Sequence, residues 1–429
     1  MGVGFGIAVG IGATVGSGIL RTPGEVAAQL RSAWLVLAVW TLGGAYAFFG
    51  TACVTELATM LPQEGGWYVY ARKAFGEYAG FVVGCFDWMM QTVAMAYLAV
   101  AFGEFAAGLQ PSLGPHMKLS AVAAVIVLML LNWLGLHAGS RAQEFTSLGK
   151  ALALTAFVVA CFFVSPKSGA RDLSAFSIPG PRGSVLLAFV VALQAVIATY
   201  DGWYSAIYFM EEDRDPARNL PRSAIGGAVA CIAIYLLVNT ALLHVLPMAQ
   251  LAASQAPAAD AAMLVLGSRG KQIILIISLV ATVSTINAEL LISPRILFAL
   301  SRDGLLPRWM ASVNAGGTPA GALLMSAVAS ITLVLSGSFE TLIAINSFLV
   351  VAVYISGFAA LFRLRARLPE LTRPFKVWGY PWTPLGVLLA SAGFLIASVI
   401  SDIKHSLFTL ILVAISYPVY FFAVKMREG

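Results

Sequence analysis

The stretch "GATVGSGILRTPG", residues 12–24, places four glycines and a proline where a long apolar helix begins. Inside a helix Gly costs about 1 kcal/mol and Pro about 3 kcal/mol relative to Ala. A chain that interrupts its first helix in this way has a use for the interruption. The remaining residues indicate what kind of use.

The chain of 429 residues is 59% hydrophobic and 11% charged, against roughly 25% charged in a soluble domain. The apolar excess falls into separate runs. Arg31 and Glu56 bracket "SAWLVLAVWTLGGAYAFFGTACVT" with no charge between them. Runs of the same kind occupy 121–136, 151–164, 231–246, 273–287, 341–362 and 406–422. A membrane-crossing helix needs about 20 mostly apolar residues, and the sequence divides into twelve such units between residues 3 and 425. An all-α polytopic membrane protein is expected. Run length argues against a barrel, whose strands alternate over about ten residues. The first span is too long, and too polar at its far end, for a cleaved signal peptide. Cys53, Cys85, Cys161 and Cys231 all fall inside spans and read as small apolar fillers. The histidines at 116, 137, 244 and 405 show no metal-ligand spacing. No metal or cofactor is expected.

Lysine and arginine set the orientation. With the N-terminus inside, inward segments hold sixteen of them and outward loops eight. Both termini are therefore expected in the cytoplasm of a cell inner (plasma) membrane protein. The net charge of +6 reflects this asymmetry and calls for no nucleic-acid partner. The longest loops, 166–184, 247–271 and 363–381, are rich in Pro, Gly or charge. The first divides five spans (1–166) from five more (184–364), leaving two helices over 382–425. No soluble domain interrupts the chain, and no accessory subunit is evident.

Span six, "SVLLAFVVALQAVIATYDGWYSAIYFMEEDRDP", is also interrupted, at Tyr200-Asp201-Gly202-Trp203. The first span of each five-helix half thus carries a break, a pattern of secondary transporters built from inverted repeats. Unwound backbone is tolerated at membrane depth only where protein or a water-filled cavity satisfies it. A half-helix starting at Ser17-Gly18-Ile19 would aim N–H groups and a positive dipole end at a carboxylate. Carbonyls at Thr14, Ala198 and Asp201 would accept from an ammonium group, and Gly16 and Gly18 would let a ligand approach the main chain. The alternative is that Gly10, Gly12, Gly16 and Gly18 only let helices pack closely.

Four segments together resemble the amino acid–polyamine–organocation superfamily. They are "GATVGSGIL" with "RTPGEVA" after it, "LPQEGGWYVYARKAFG" (61–76), "YDGWYSAIYFMEEDRDPARNLPRS" (200–223) and "INAELLISPRILFALSRDGLLP" (286–307). Order and spacing agree over essentially the whole chain, which is similar to bacterial relatives of the L-type amino acid transporters. The resemblance implies a LeuT-type fold, two inverted five-helix repeats plus two helices, with helices one and six discontinuous. It also implies transport of amino acids or related amines by alternating access. By the same resemblance Gly16, Ser17 and Gly18 bind the substrate carboxylate, with Ile19, Gly202 and Trp203 beside them. Thr14, Ala198 and Asp201 offer carbonyls to the amine. Lys150 matches a fifth-helix lysine that takes the place of sodium in proton-coupled or sodium-independent members, and Ser284 or Thr285 faces it. Two departures stand out. Ala198 occupies a position where many relatives carry an aromatic gate, for which Tyr200, Trp203 or Tyr204 are substitutes, and Asp201 replaces a residue that is usually uncharged.

Lys150 lies nine residues past Arg141 and seventeen before Lys167, too deep to reach either loop. Solvated by carbonyls near Gly12, its cation would hold helices one, five and eight together as a bound sodium ion could. Sodium-independent transport is expected, with proton binding and release at Lys150 or exchange as the driving step. Pocket walls are expected around Trp88 to Thr92, Ser284 and Asn346 to Phe348. Neutral L-amino acids are the expected substrates, and cationic amino acids or polyamines the alternative raised by Asp201. Arg21 is placed either to close an outer vestibule or to reach the outer interface by snorkelling. Glu56 and Glu211 to Asp213 are expected in ion pairs near Arg72 and Arg214. Asp87, Glu104 and Glu289 are candidate proton relays, since charged groups within spans are functional candidates by default. Two rival classes differ in kind. "GIGATVG" (10–16) hints at a dinucleotide-binding enzyme, but its spacing is G-x-G-x-x-x-G with no strand before it. A nutrient sensor on the same fold would need a signalling segment.

Overall fold

The computed structural model describes residues 2–163, 185–337, 339–401, 416–418 and 420–421. Fifteen α-helices follow in order: α1 Val3–Thr14, α2 Gly18–Leu30, α3 Ala33–Met60, α4 Trp67–Phe75, α5 Glu77–Leu109, α6 Met117–Trp133, α7 Leu136–Phe162 and α8 Val185–Tyr200, then α9 Pro216–Val245, α10 Met248–Ala253, α11 Pro257–Leu266, α12 Gly270–Arg302, α13 Ala320–Ser336, α14 Phe339–Arg367 and α15 Trp382–Ser401. No strand forms among the described residues. In hydrocarbon every backbone N–H and C=O needs a partner, which a helix supplies from its own turn.

Among the described residues nine helical segments are long and apolar enough to cross a membrane, and the bent pair α1 and α2 makes a tenth. α13 is apolar but has only 17 residues. The expected boundary at 166–184 and most of the expected last span, 406–422, lie outside the described residues.

The helix ends follow local chemistry. Gly66 and Gly76 flank α4, and Pro216 and Pro257 open α9 and α11, where a missing N–H costs nothing. The helix α7 shows how the bundle sorts its faces. Ser140, Gln143, Ser147 and Lys150, spaced three and four apart, are buried, whereas Phe145, Leu148 and Leu152 are exposed. That is the reverse of a soluble helix, and it suits a lipid surround.

α1 packs against α9, α7 and α12, and α5 runs along α12. Close approach needs small residues. A Cβ on Gly12 would lie 1.7 Å from Nε2 of Gln143, so α1 and α7 meet here only through glycine. A Cβ on Gly10 would meet Gly227 at an ordinary 3.8 Å, and one on Gly18 would meet Thr199 at 3.3 Å. Close packing therefore demands glycine at Gly12 alone of the four, and Gly16 and Gly18 stand at the break.

Ion pairs tie the helix ends together, with partners other than those expected. Glu56, fully buried, binds Arg365 at 2.5 Å and accepts from the Val377 N–H at 2.7 Å, with Arg373 at 3.6 Å. Arg295 lies 3.1 Å from Glu64 and 2.5 Å from Glu212, and Arg302 binds Glu211 at 2.9 Å. Arg72 pairs with Asp303 instead. Ion pairing at Glu56, Glu211 and Glu212 was legible from their neighbours in the chain, but the choice of partner was not, and Asp213 instead accepts from Asn219 and the Asp215 N–H.

Candidate functional site

α1 ends because Val15 leaves the helical range, with ψ 81°, and the Gly16 N–H turns back to the Thr14 carbonyl at 2.9 Å. α2 starts at Gly18, bent 47° from α1. No side chain caps its start, so its first N–H groups and the positive end of its dipole face whatever occupies the break.

The second break follows α8. After Tyr200 the chain turns through Asp201 to Tyr204 and continues as a short 3-10 helix, Ser205–Phe209. Gly202 makes this possible. Its φ is +100°, and a Cβ on it would stand 2.7 Å from the Ala13 carbonyl carbon. The two breaks therefore touch, main chain against main chain.

A residue that the sequence did not single out bridges them. The Tyr235 hydroxyl on α9 lies 2.6 Å from the Thr14 carbonyl and 2.9 Å from the Thr199 carbonyl. Nothing in "CIAIYLLVNTALLHV" marks that tyrosine locally. Its contact also corrects one expectation: the Thr14 carbonyl is not free. It already accepts from the Gly16 N–H and shares the single Tyr235 hydroxyl proton with the Thr199 carbonyl. The Ala198 carbonyl accepts only a long bond from the Asp201 N–H, at 3.3 Å.

Between the breaks lies a cavity of about 210 Å³, smaller than the 300–1,000 Å³ typical of drug-sized ligand pockets. Seven of the nine positions expected to bind substrate line it: Thr14, Gly16, Ser17, Gly18, Ala198, Asp201 and Gly202. Ile19 and Trp203 do not. Ile19 is fully buried in the core. The Trp203 ring stacks on Phe358 and meets Trp67 and Tyr354 edge-on or tilted. Tyr200 and Tyr204 are buried as well, so none of the three aromatic substitutes borders the cavity. The expected walls also shift. Span three contributes Ala94, Tyr97 and Leu98 rather than Trp88 to Thr92, and Asn346 to Phe348 are not among the lining residues. The Trp88 indole donates to Ser326 at 2.9 Å instead.

Lys150 is fully buried, and its Nζ donates to the Gly12 carbonyl at 2.7 Å. Thr285 Oγ1 lies 3.1 Å from the same carbonyl and 3.0 Å from the Ala281 carbonyl of its own helix, between which its one proton is shared, and the residue also lines the cavity. Ser284 turns away, 3.3 Å from Ser147 and 3.4 Å from Gln143. Ser147 in turn donates to the Ala8 carbonyl at 2.7 Å. Of the two hydroxyls expected near Lys150, Thr285 is the one that shares its acceptor. Helices α1, α7 and α12 meet at that carbonyl.

Tyr354 donates to the Asp201 carboxylate. Asp87 accepts from Tyr208 at 2.6 Å and from Gln91 at 3.2 Å. The charged side chains lining the cavity are Arg21, Glu25, Asp201 and Glu289. Outside the spans, in the turn before α4, burial pushes the Glu64 carboxyl up to about 7 despite the Arg295 guanidinium beside it, with Glu212 and Glu211 adding repulsion. Among the described residues no group of three or more His, Cys, Asp or Glu is placed to hold a metal ion.

The sequence profile of a family described as amino acid permease matches residues 6–421. The serine/threonine exchanger SteT of Bacillus subtilis is 27% identical, over all of this chain and 97% of its own. The Asc-type amino acid transporter 1 of Mus musculus is 31% identical over 97% of this chain and 80% of its own. The large neutral amino acids transporter small subunit 2 of Homo sapiens is 29% identical over 97% of this chain and 79% of its own.

Proposed function

The chain belongs to the amino acid permease family, and from that premise we propose that it is a secondary active transporter of amino acids. It works by alternating access in the cell inner membrane, with both termini cytoplasmic. The observation that carries this reading is the pair of helix breaks opening on one cavity sized for a single small ligand. The substrate carboxylate lies against the N–H groups of Gly16 to Gly18, where charge and dipole complement it. The α-ammonium faces the Ala198 and Asp201 carbonyls, because Thr14 is already occupied by Tyr235. The paired breaks also support two inverted five-helix repeats, over 1–166 and 184–364, in a twelve-helix architecture completed by 382–425.

Transport is sodium-independent in this proposal. The Lys150 ammonium meets the Gly12 carbonyl beside Thr285, holding together three helices that a bound cation would otherwise join. Driving force comes from a proton carried at Lys150 or from exchange, the mode named for the Bacillus subtilis relative.

The test uses purified protein in proteoliposomes and labelled L-serine, L-leucine and L-lysine. At least one is expected to enter saturably, at the same rate when choline replaces sodium. An inward proton gradient accelerates a symporter, and internal amino acid accelerates an exchanger. Losing a hydrogen bond to a charged group costs about 1.5–3 kcal/mol, so Lys150→Ala is expected to slow uptake about tenfold or more, with the protein still present in the membrane. Sodium-dependent uptake, or a Lys150→Ala variant with unchanged rate and pH profile, refutes the coupling. Failure of every amino acid to enter refutes the transporter reading itself.

A further inference from the structure

Glu289 has one buried carboxylate oxygen that no hydrogen bond uses. It sits on α12 four residues after Thr285, hence on the same helix face, and it lines the cavity. The residue is only 6% exposed, and its buried Oε2 has no hydrogen-bond partner. Leaving a buried polar atom unsatisfied costs about 1–3 kcal/mol, and more when it is charged. A ligand that donates to it would recover that cost.

The surrounding groups narrow the ligand. Asp201 is already held by Tyr354, and Asp87 by Tyr208 and Gln91. Asp87 Oδ2 also lacks a partner, but Asp87 does not line the cavity. Both acids interact electrostatically with Glu289. Around the cavity three carboxylates (Glu25, Asp201 and Glu289) stand against one guanidinium, Arg21. Such a wall favours a cation over a neutral or anionic group.

Position supplies the remaining constraint. A Cβ on Gly16 would lie 3.6 Å from Thr285 Oγ1, so Thr285 marks the carboxylate cradle. Four residues along α12 is about 6 Å of helix axis, within reach of a short side chain on a ligand held by its α-carboxylate. We propose that Glu289 binds the side-chain ammonium of the substrate, which makes short diamino acids the preferred cargo in place of the neutral ones the sequence suggested. This rests on the reading of the α1–α2 break as the carboxylate cradle.

L-Ornithine and L-norvaline separate the two ideas, since they share a carbon chain and differ by the terminal ammonium. Ligand-induced stabilisation of the purified full-length protein, measured as a melting shift against concentration, gives each affinity. Wild type is expected to bind ornithine about tenfold or more tightly than norvaline, and Glu289→Gln is expected to bring the two affinities together. Norvaline binding wild type as tightly as ornithine overturns the proposal without recourse to any variant. A ratio preserved in Glu289→Gln overturns it as well. If neither ligand binds wild type, the cradle itself is refuted and the proposal falls with it.

Discussion

Gly202→Ala asks whether the two breaks are held together by a contact that only glycine allows. At φ +100° a side chain costs about 1–3 kcal/mol in backbone strain alone. Its Cβ would also stand 2.7 Å from the Ala13 carbonyl carbon and 2.9 Å from both the Ala13 oxygen and the Thr14 nitrogen. Carbon atoms rest at about 3.5 Å or more, so the end of α1 must retreat by about 0.8 Å. Overpacking of this kind adds about 1–3 kcal/mol. The total, about 2–6 kcal/mol, falls on the wall of the cavity and on the Thr14 carbonyl that Tyr235 holds. Purified protein is therefore expected to melt lower and to bind its amino acid ligands at least about tenfold more weakly. Gly149→Ala is the matched control. It lies in α7 with no heavy atom within 4 Å of the added Cβ, so neither stability nor binding is expected to fall. A Gly202→Ala protein that melts and binds as Gly149→Ala does would show that the breaks do not depend on this contact.

Two further outcomes follow from the same geometry. Tyr235→Phe removes the hydroxyl shared by the Thr14 and Thr199 carbonyls, a loss of about 1–3 kcal/mol; slower uptake with a lower melting temperature is expected, and unchanged uptake in proteoliposomes would show that the clamp is dispensable. Glu64 has its carboxyl raised from 4.5 to about 7 by burial, so its stabilising contribution is complete below about pH 4.5 and is lost as pH rises through about 7. The wild-type melting temperature is therefore expected to fall relative to Glu64→Gln over that window, whereas parallel melting curves would refute the assignment.

The apolar spanning helices and the positions of the two helix breaks were legible because both rest on local energetics. A run of about 20 apolar residues has one outcome in a bilayer, whichever neighbours it meets. Gly16, Ser17 and Gly18 announce a helix break by their own backbone preferences, and Gly202 announces the second. Residues chosen for that reason line the cavity, as do Ala198 and Asp201 beside them.

Tertiary packing decided the rest. Nothing local distinguishes Tyr235 from the other tyrosines of apolar spans, yet its hydroxyl closes the Thr14 carbonyl that the sequence left open to substrate. Trp203 lies within the second break, but its ring joins Trp67, Tyr354 and Phe358 because the turn carries it away from the cavity. Thr285 rather than Ser284 reaches Gly12, since one residue along a helix is a turn of about 100°. Arg295 binds Glu64 and Glu212, from segments 231 and 83 positions away in sequence, as the residue numbers show. A sequence specifies where its backbone bends and which segments leave water. Which side chains then face one another depends on the rotation and spacing of whole helices, set by many weak contacts at once.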